Sequence, residues 1–186
     1  MNSKGWRWVR LGEVCEINPP RPKNFIRSPD IPTTFIPMAA VDEETGTIAK
    51  PEIVPYQKVS KGYTYFEENV SFVGDNFPYA NATINEHVFR MRGKTFLNQE
   101  FLFWFLYSPA GQSQIQQEFH GSAQGGINQR FVDGVSIPFP SVPEQHRIAS
   151  YLKEKMRHIE NLQSAIRNQQ SALDALPQAI LRKAFS

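Results

Sequence analysis

Ile137-Pro138-Phe139-Pro140-Ser141-Val142-Pro143-Glu144-Gln145-His146-Arg147-Ile148-Ala149 is the stretch on which the fold turns. Its three prolines hold an extended segment, because each fixes its own φ and biases its predecessor away from helix. Pro143 also suits the first turn of a helix, where an N–H is not needed, and Glu144 suits the positive end of the helix dipole. Two regimes meet here. Residues 1–140 hold most of the Pro, Gly and aromatic residues, whereas residues 144–186 hold one Pro and no Gly.

Downstream, one pattern dominates. Ile148, Leu152, Lys155, Ile159, Leu162, Ile166, Gln169, Leu173, Leu176 and Ile180 are spaced four and three apart without a break, and eight of the ten are apolar. That is a coiled-coil seam sustained over four heptads. The 34 residues from Pro143 to Leu176 span roughly 50 Å as a helix, and Pro177 is expected to kink or end it. Such a helix either folds back on its own domain or meets a partner helix. Its length favours the partner. Lys155 and Gln169 interrupt the seam, as polar residues that set register do.

Upstream, the pattern is mixed. Leu11 to Ile17 reads as a short helix. Thr33 to Met38, Tyr63 to Phe66, Val70 to Val73 and His87 to Arg92 read as strands, from β-branched and aromatic content or alternation. Asn98 is placed to cap an apolar core helix through Tyr107, and Ser108-Pro109 to open a second running to about Phe119. Gly121 to Arg130 is a glycine-rich polar loop. The expected fold is α+β: a mixed α/β globular domain over 1–140 and a long C-terminal coiled-coil helix over 141–186.

Composition bounds the function. At 40% hydrophobic and 12% aromatic the chain can bury a core. Residues 1–140 carry 13 Lys and Arg against 14 Asp and Glu, a net −1, so any anion-binding surface there is a local concentration of charge. The single cysteine, Cys15, forms no internal disulfide, which suits a reducing cytoplasm. The start is too polar for a signal peptide, and the longest apolar run, Phe101 to Tyr107, is too short for a bilayer span.

Catalytic patterns are missing. Asn18-Pro19-Pro20-Arg21 invites comparison with the Asn-Pro-Pro-aromatic motif of amino-methylating DNA methyltransferases, but Arg21 stands in the aromatic position and no glycine-rich methyl-donor loop precedes it. It reads as a proline-rich loop. Asn76-Phe77-Pro78-Tyr79 lacks the second proline and reads as a turn. His87, His120, His146 and His158 do not cluster at metal-ligand spacing with one another or with Cys15, and His146 and His158 read as solvated helix residues. No cofactor, metal or catalytic residue is expected.

The 137–149 stretch resembles the opening of the conserved region of Type I restriction–modification specificity subunits: Ile-Pro-aliphatic-Pro, then Glu-Gln, a basic residue and Ile. Phe139 and Ser141-Val142 stand where Leu, Pro and Leu are usual. Trp6 to Val14, Lys61 to Phe66, Gly121 to Gln124 and Leu181 to Ser186 match further stations in the same order. The stretch Glu67 to Asn85 is shorter than the family's usual strand–loop–strand.

The resemblance implies a non-catalytic target-recognition domain that binds one half of a split double-stranded DNA site. It also implies a long helix that docks methyltransferase and restriction subunits. A full subunit has two such domains and two antiparallel helices. One of each here implies a half subunit or a piece, and pairing with itself through Ile148, Leu152, Ile159, Leu162, Ile166, Leu173 and Leu176. A coiled-coil adaptor with a protein-binding head, and the recognition part of a single-chain restriction–methylation enzyme, are the competing readings.

For DNA contact the loop residues Ser122, Gln124, Asn128, Gln129 and Arg130 come first. Their side chains can hydrogen-bond to base edges or phosphates, and the glycines let backbone approach closely. Lys58, Lys61, Arg90, Arg92 and Lys94 are phosphate-binding candidates by charge.

Overall fold

A computed structural model of the chain describes residues 5–18, 26–42, 45–59, 65–67, 82–84, 88–118 and 127–185. The chain divides into two compact units, Met1–His146 and Arg147–Ser186.

In the first unit the beginning and the end of that unit's own sequence meet. Strand β1 (Arg7–Arg10) pairs antiparallel with β10 (Ser136–Phe139), setting Trp8 opposite Pro138. The 137–140 segment is therefore extended, as its prolines require, and Ile137 is fully buried. β1 leads into a single helical turn, α1 (Leu11–Val14), whose Leu11 is buried and donates its N–H to Val135 O at 2.8 Å.

The helix expected over Leu11 to Ile17 stops at Val14. Cys15–Ile17 is strand β2, paired antiparallel with β9 (Met91–Gly93). Tertiary pairing wins over local helix preference there. The strand expected over His87 to Arg92 is correspondingly shorter. His87 lies outside the described residues, and 88–90 are irregular because Asn18, at φ 47°, turns the partner chain out of the ladder.

A second sheet has the order β6-β3-β8-β7. β3 (Pro32–Ile36) lies antiparallel to β6 (Glu52–Pro55) and parallel to β8 (Ala82–Ile84), and β8 lies antiparallel to β7 (Tyr65–Glu67). Ile36, Ala40 and Ala82 form a small core that Ile48 and Ile84 close. A short helix, α2 (Tyr56–Val59), follows β6, and the hairpin of β4 (Val41–Asp42) and β5 (Thr47–Ile48) precedes it. The strand expected over Val70 to Val73 falls outside the described residues, as do Tyr63 and Thr64.

Helix α3 (Gln99–Tyr107) starts where Asn98 predicts: the Asn98 side chain accepts from Phe101 N at 2.8 Å. Phe101, Leu102 and Phe105 are buried, while Phe103, Trp104, Leu106 and Tyr107 are half-buried, so one face rather than the whole helix fills the core. Ser108 then caps α4 (Pro109–Gln117) by accepting from Gly111 N at 3.2 Å. The two helices approach so closely that a Cβ on Gly111 has no room against the Phe105 carbonyl. α4 ends at Gln117, earlier than Phe119. A last single turn, α5 (Phe131–Gly134), precedes β10.

The long helix, α6 (Val142–Phe185), carries Pro143 in its first turn, as expected. Pro177 neither ends nor interrupts it; the helix runs on to Phe185. The proline takes away one backbone hydrogen bond, and the helical residues on either side sustain the run.

Candidate functional site

Two segments that the sequence separates by more than thirty residues are joined by a pair of aromatic rings. Phe89, just before β9, stacks on Phe131 at the start of α5, with centroids 5.9 Å apart and planes 17° from parallel. Phe131 is buried. The contact brings the segment carrying Arg90, Arg92 and Lys94 beside the turn carrying Asn128, Gln129 and Arg130.

Each of these residues is held differently. Arg90 is pinned by its backbone: its N–H donates to Asn18 Oδ1 at 2.9 Å, and its carbonyl accepts from Asn18 N at 2.7 Å. Arg92 is exposed on β9. Lys94 is exposed too, but its ammonium donates to Gly12 O at 3.2 Å and Glu13 O at 3.0 Å. There it sits on the last carbonyls of α1, the negative end of the turn, so part of its charge is spent on the protein. In the turn, Asn128 Oδ1 accepts from Arg130 N at 2.8 Å, and the Asn128 carbonyl accepts from Phe131 N at 3.1 Å. This Asx turn uses the Asn128 oxygen and leaves its amide donors. Gln129 and Arg130 are exposed.

The chemistry of this patch is that of forked, permanently charged donors on exposed surface, suited to anionic oxygens or purine edges. Lys58 lies elsewhere, exposed on α2, which packs against β3 and β6. Ser122, Gln124 and Lys61 lie outside the described residues.

Asn18 itself resolves one sequence ambiguity. In the methyltransferase motif the asparagine oxygen receives the target amine. Here that oxygen already accepts from Arg90 N, and the residue serves a turn. Pro19 to Arg21 and Asn76 to Tyr79 lie outside the described residues. Burial pushes the Cys15 thiol up to about 11, so it stays protonated and poorly nucleophilic at neutral pH. Among the described residues no group of three or more His, Cys, Asp or Glu could hold a metal ion, and no helix is long and apolar enough to cross a membrane.

On α6 the seam residues stand in solvent. Ile159 is 44% exposed, Leu162 51%, Ile166 64% and Leu173 61%. Leu176 and Ile180 are exposed as well, and Ile148 and Leu152 half-buried. Lys155 leans along its own chain, its ammonium 5.4 Å from the Tyr151 ring centroid.

Sequence reasoning missed three glutamines. Gln145 is fully buried. Its oxygen accepts from Asn98 N at 2.8 Å, and its amide donates to Phe96 O and Pro140 O, both at 3.0 Å. Gln99 bridges Gly93 N and Met91 O at 2.9 and 3.1 Å, and Gln114 bridges the N–H and C=O of Ser136 at 2.8 and 3.0 Å. Gln99 and Gln114 each offer one donor and one acceptor where a neighbouring strand would. Beside Gln145, Glu144 accepts from the Trp6 indole at 3.1 Å, and His146, exposed, lies 3.1 Å from the Asn98 amide. The only available signal was that Glu144-Gln145 belongs to the quoted motif.

The chain matches the family model for the Type I restriction modification DNA specificity domain over residues 3–169. It is 27% identical over 170 residues to the Type I restriction enzyme EcoEI specificity subunit of Escherichia coli, covering 82% of this chain and 28% of that protein. A chain solved in a study of complex assembly and conformational transition of the type I R-M system aligns with a TM-score of 0.66 at 26% identity, covering 98% of this chain and 46% of that one. The HsdS subunit from Thermoanaerobacter tengcongensis aligns with a TM-score of 0.59 at 22% identity, covering 86% and 44%, a likeness of fold. The chain thus spans less than a third of the curated relative and less than half of either solved chain.

Proposed function

The chain belongs to the Type I restriction–modification DNA specificity domain family, and from that premise we propose that it reads DNA and catalyses nothing. Residues 1–140 act as a target-recognition domain for one half of a split double-stranded site. Residues 141–186 act as the conserved-region helix, docking methyltransferase and restriction subunits and pairing with a second copy. A pairing of identical chains is two-fold symmetric and reads a symmetric split site. The same reading puts the chain in the cytoplasm with the DNA it marks.

The family match carries this reading. The stack of Phe89 on Phe131 supports it, because it joins the segment carrying exposed Arg92 to the turn carrying exposed Gln129 and Arg130. Arg130 and Gln129 are suited to base edges, Arg90, Arg92 and Lys94 to phosphate. Lys58 and Lys61 extend the phosphate set, and Ser122, Gln124 and Asn128 the reading set. The exposed stripe from Ile159 to Leu176 supports the helix pairing.

Gel retardation of a DNA duplex by the purified chain across a salt series tests the reading. DNA binding predicts an affinity that falls steeply as salt rises, through release of phosphate counterions. A protein-binding adaptor, which the near-neutral charge of residues 1–140 favours, predicts no retardation at low salt. Labelled methyl groups appearing in DNA from the pure chain and a methyl donor would contradict the non-catalytic role.

A further inference from the structure

Arg130 stands at the N-terminus of α5, a single turn too short to hold itself in place. Its position is set by what grips the turn. At one end Phe131 is buried against Phe89. At the other, Val135 N closes the turn on Phe131 O at 3.0 Å, and the next residue, Ser136, is held by Gln114 of α4. The Glu118 carboxylate, just past α4, occupies the space that a Cβ on Gly134 would need. So α4 grips the far side of α5 through one amide and one close packing contact.

We propose that Gln114 is a positioning residue for DNA recognition: by bonding both backbone groups of Ser136 it fixes where the Asn128–Arg130 turn stands, and so where the Arg130 guanidinium meets the duplex. The inference rests on the proposed DNA reading of that turn. Its chemistry is specific to a primary amide. One oxygen accepts from the Ser136 N–H and one N–H donates to the Ser136 carbonyl, from a side chain of one length. Glutamate keeps the acceptor and loses the donor. Methionine keeps the volume and loses both. Without the amide the turn keeps Phe131 and the Leu11 N–H to Val135 O bond as anchors but loses its tie to α4, and the Asn128–Arg130 end shifts. Phosphate attraction tolerates such motion, whereas a two-pronged contact to a base edge does not.

The test uses the complex with its methyltransferase subunit, a duplex carrying the site found by methylation mapping, and a shuffled duplex of equal length. Gln114→Met should lower the cognate-to-shuffled affinity ratio about tenfold, through the cognate affinity alone, at a shuffled-duplex affinity equal to the parent's. Gln114→Glu should lower it by a smaller factor. A role confined to stability would instead lower the melting temperature and weaken both duplexes together. If Gln114→Met does not fold, Gln114→Glu carries the test, since one of the two bonds survives. An unchanged ratio in the folded variants overturns the inference. Arg130→Ala separates the two levels. If it leaves the ratio unchanged, the DNA reading of the turn fails and the positioning role with it. If it lowers the ratio while both Gln114 variants keep theirs, only the positioning role fails.

Discussion

One helix, α6, carries two regions with opposite logic. In its first turn a polar residue is inside: Gln145 is fully buried with three hydrogen bonds, beside half-buried Glu144, which accepts from the Trp6 indole. Further along, the apolar residues are outside, with Leu162 and Ile166 more than half exposed. A buried amide is tolerated only when its donors and acceptor are satisfied, and those of Gln145 are bonded to backbone of the same unit. An apolar stripe in water has no such internal explanation. The first region is specified by the chain's own fold. The second is the stripe that the proposed pairing would cover.

The largest effect should fall on the second region. Leu162→Asp places an unpaired charge in the seam, a loss of about 3–5 kcal/mol for an uncompensated buried charge. Sedimentation should show monomer at concentrations where the parent is dimeric. A monomeric parent would break the pairing half of the comparison.

In the first region, Gln145→Leu strands Asn98 N–H and the Phe96 and Pro140 carbonyls, and should cost roughly 3 kcal/mol, since each unsatisfied buried group costs about 1–3 kcal/mol. The urea midpoint of the isolated chain should drop, with the oligomeric state at fixed native conditions unchanged. A midpoint equal to the parent's would mean that the buried amide is dispensable.

Smaller effects separate the charged residues at the patch. Arg130→Ala should weaken cognate DNA by about 1–3 kcal/mol with little change on random DNA, whereas Lys94→Ala should weaken both alike and lower the salt slope by about one unit. Because the Lys94 ammonium also caps α1, its removal should lower the melting temperature slightly as well. Equal behaviour of the two variants on both duplexes would erase the distinction between reading and attraction.

The smallest expected effect is at Cys15. Its folded pKa, raised by burial from the ordinary 9.0 to about 11, means that the folded state keeps a proton that the unfolded chain loses. The stability this contributes is fully present below pH 9 and fades as pH rises toward 11. Alkylation by iodoacetamide at pH 8 should therefore be slow in the folded chain and fast in urea; equal rates would show the thiol to be accessible.

What was legible in the sequence was local. Asn98 and Ser108 marked two helix starts because a capping side chain bonds within three residues of itself. The prolines at 138, 140 and 143 marked the passage from strand to helix, and the four–three spacing marked the apolar stripe of the long helix. What escaped was set by partners far away in sequence. Cys15–Ile17 became a strand because Met91–Gly93 lies beside it, and the His87–Arg92 alternation was cut short by Asn18, more than seventy residues earlier. The burial of Gln145 was invisible because glutamine is ordinarily a surface residue. At the proposed DNA-contact patch, the sequence supplied the residue types. Their division of labour came from geometry: Lys94 partly spent on carbonyls, the Asn128 oxygen spent on its own turn, Arg130 exposed.

As proposed, this chain specifies a DNA site for another protein's chemistry. The direct measurement is the map of methylated positions in DNA from cells that co-express the chain with a Type I methyltransferase subunit. Methylation should be confined to one split sequence, symmetric about its centre, and lost when the chain is left out. Methylation that is absent with both proteins present, or that is the same with and without the chain, would contradict it.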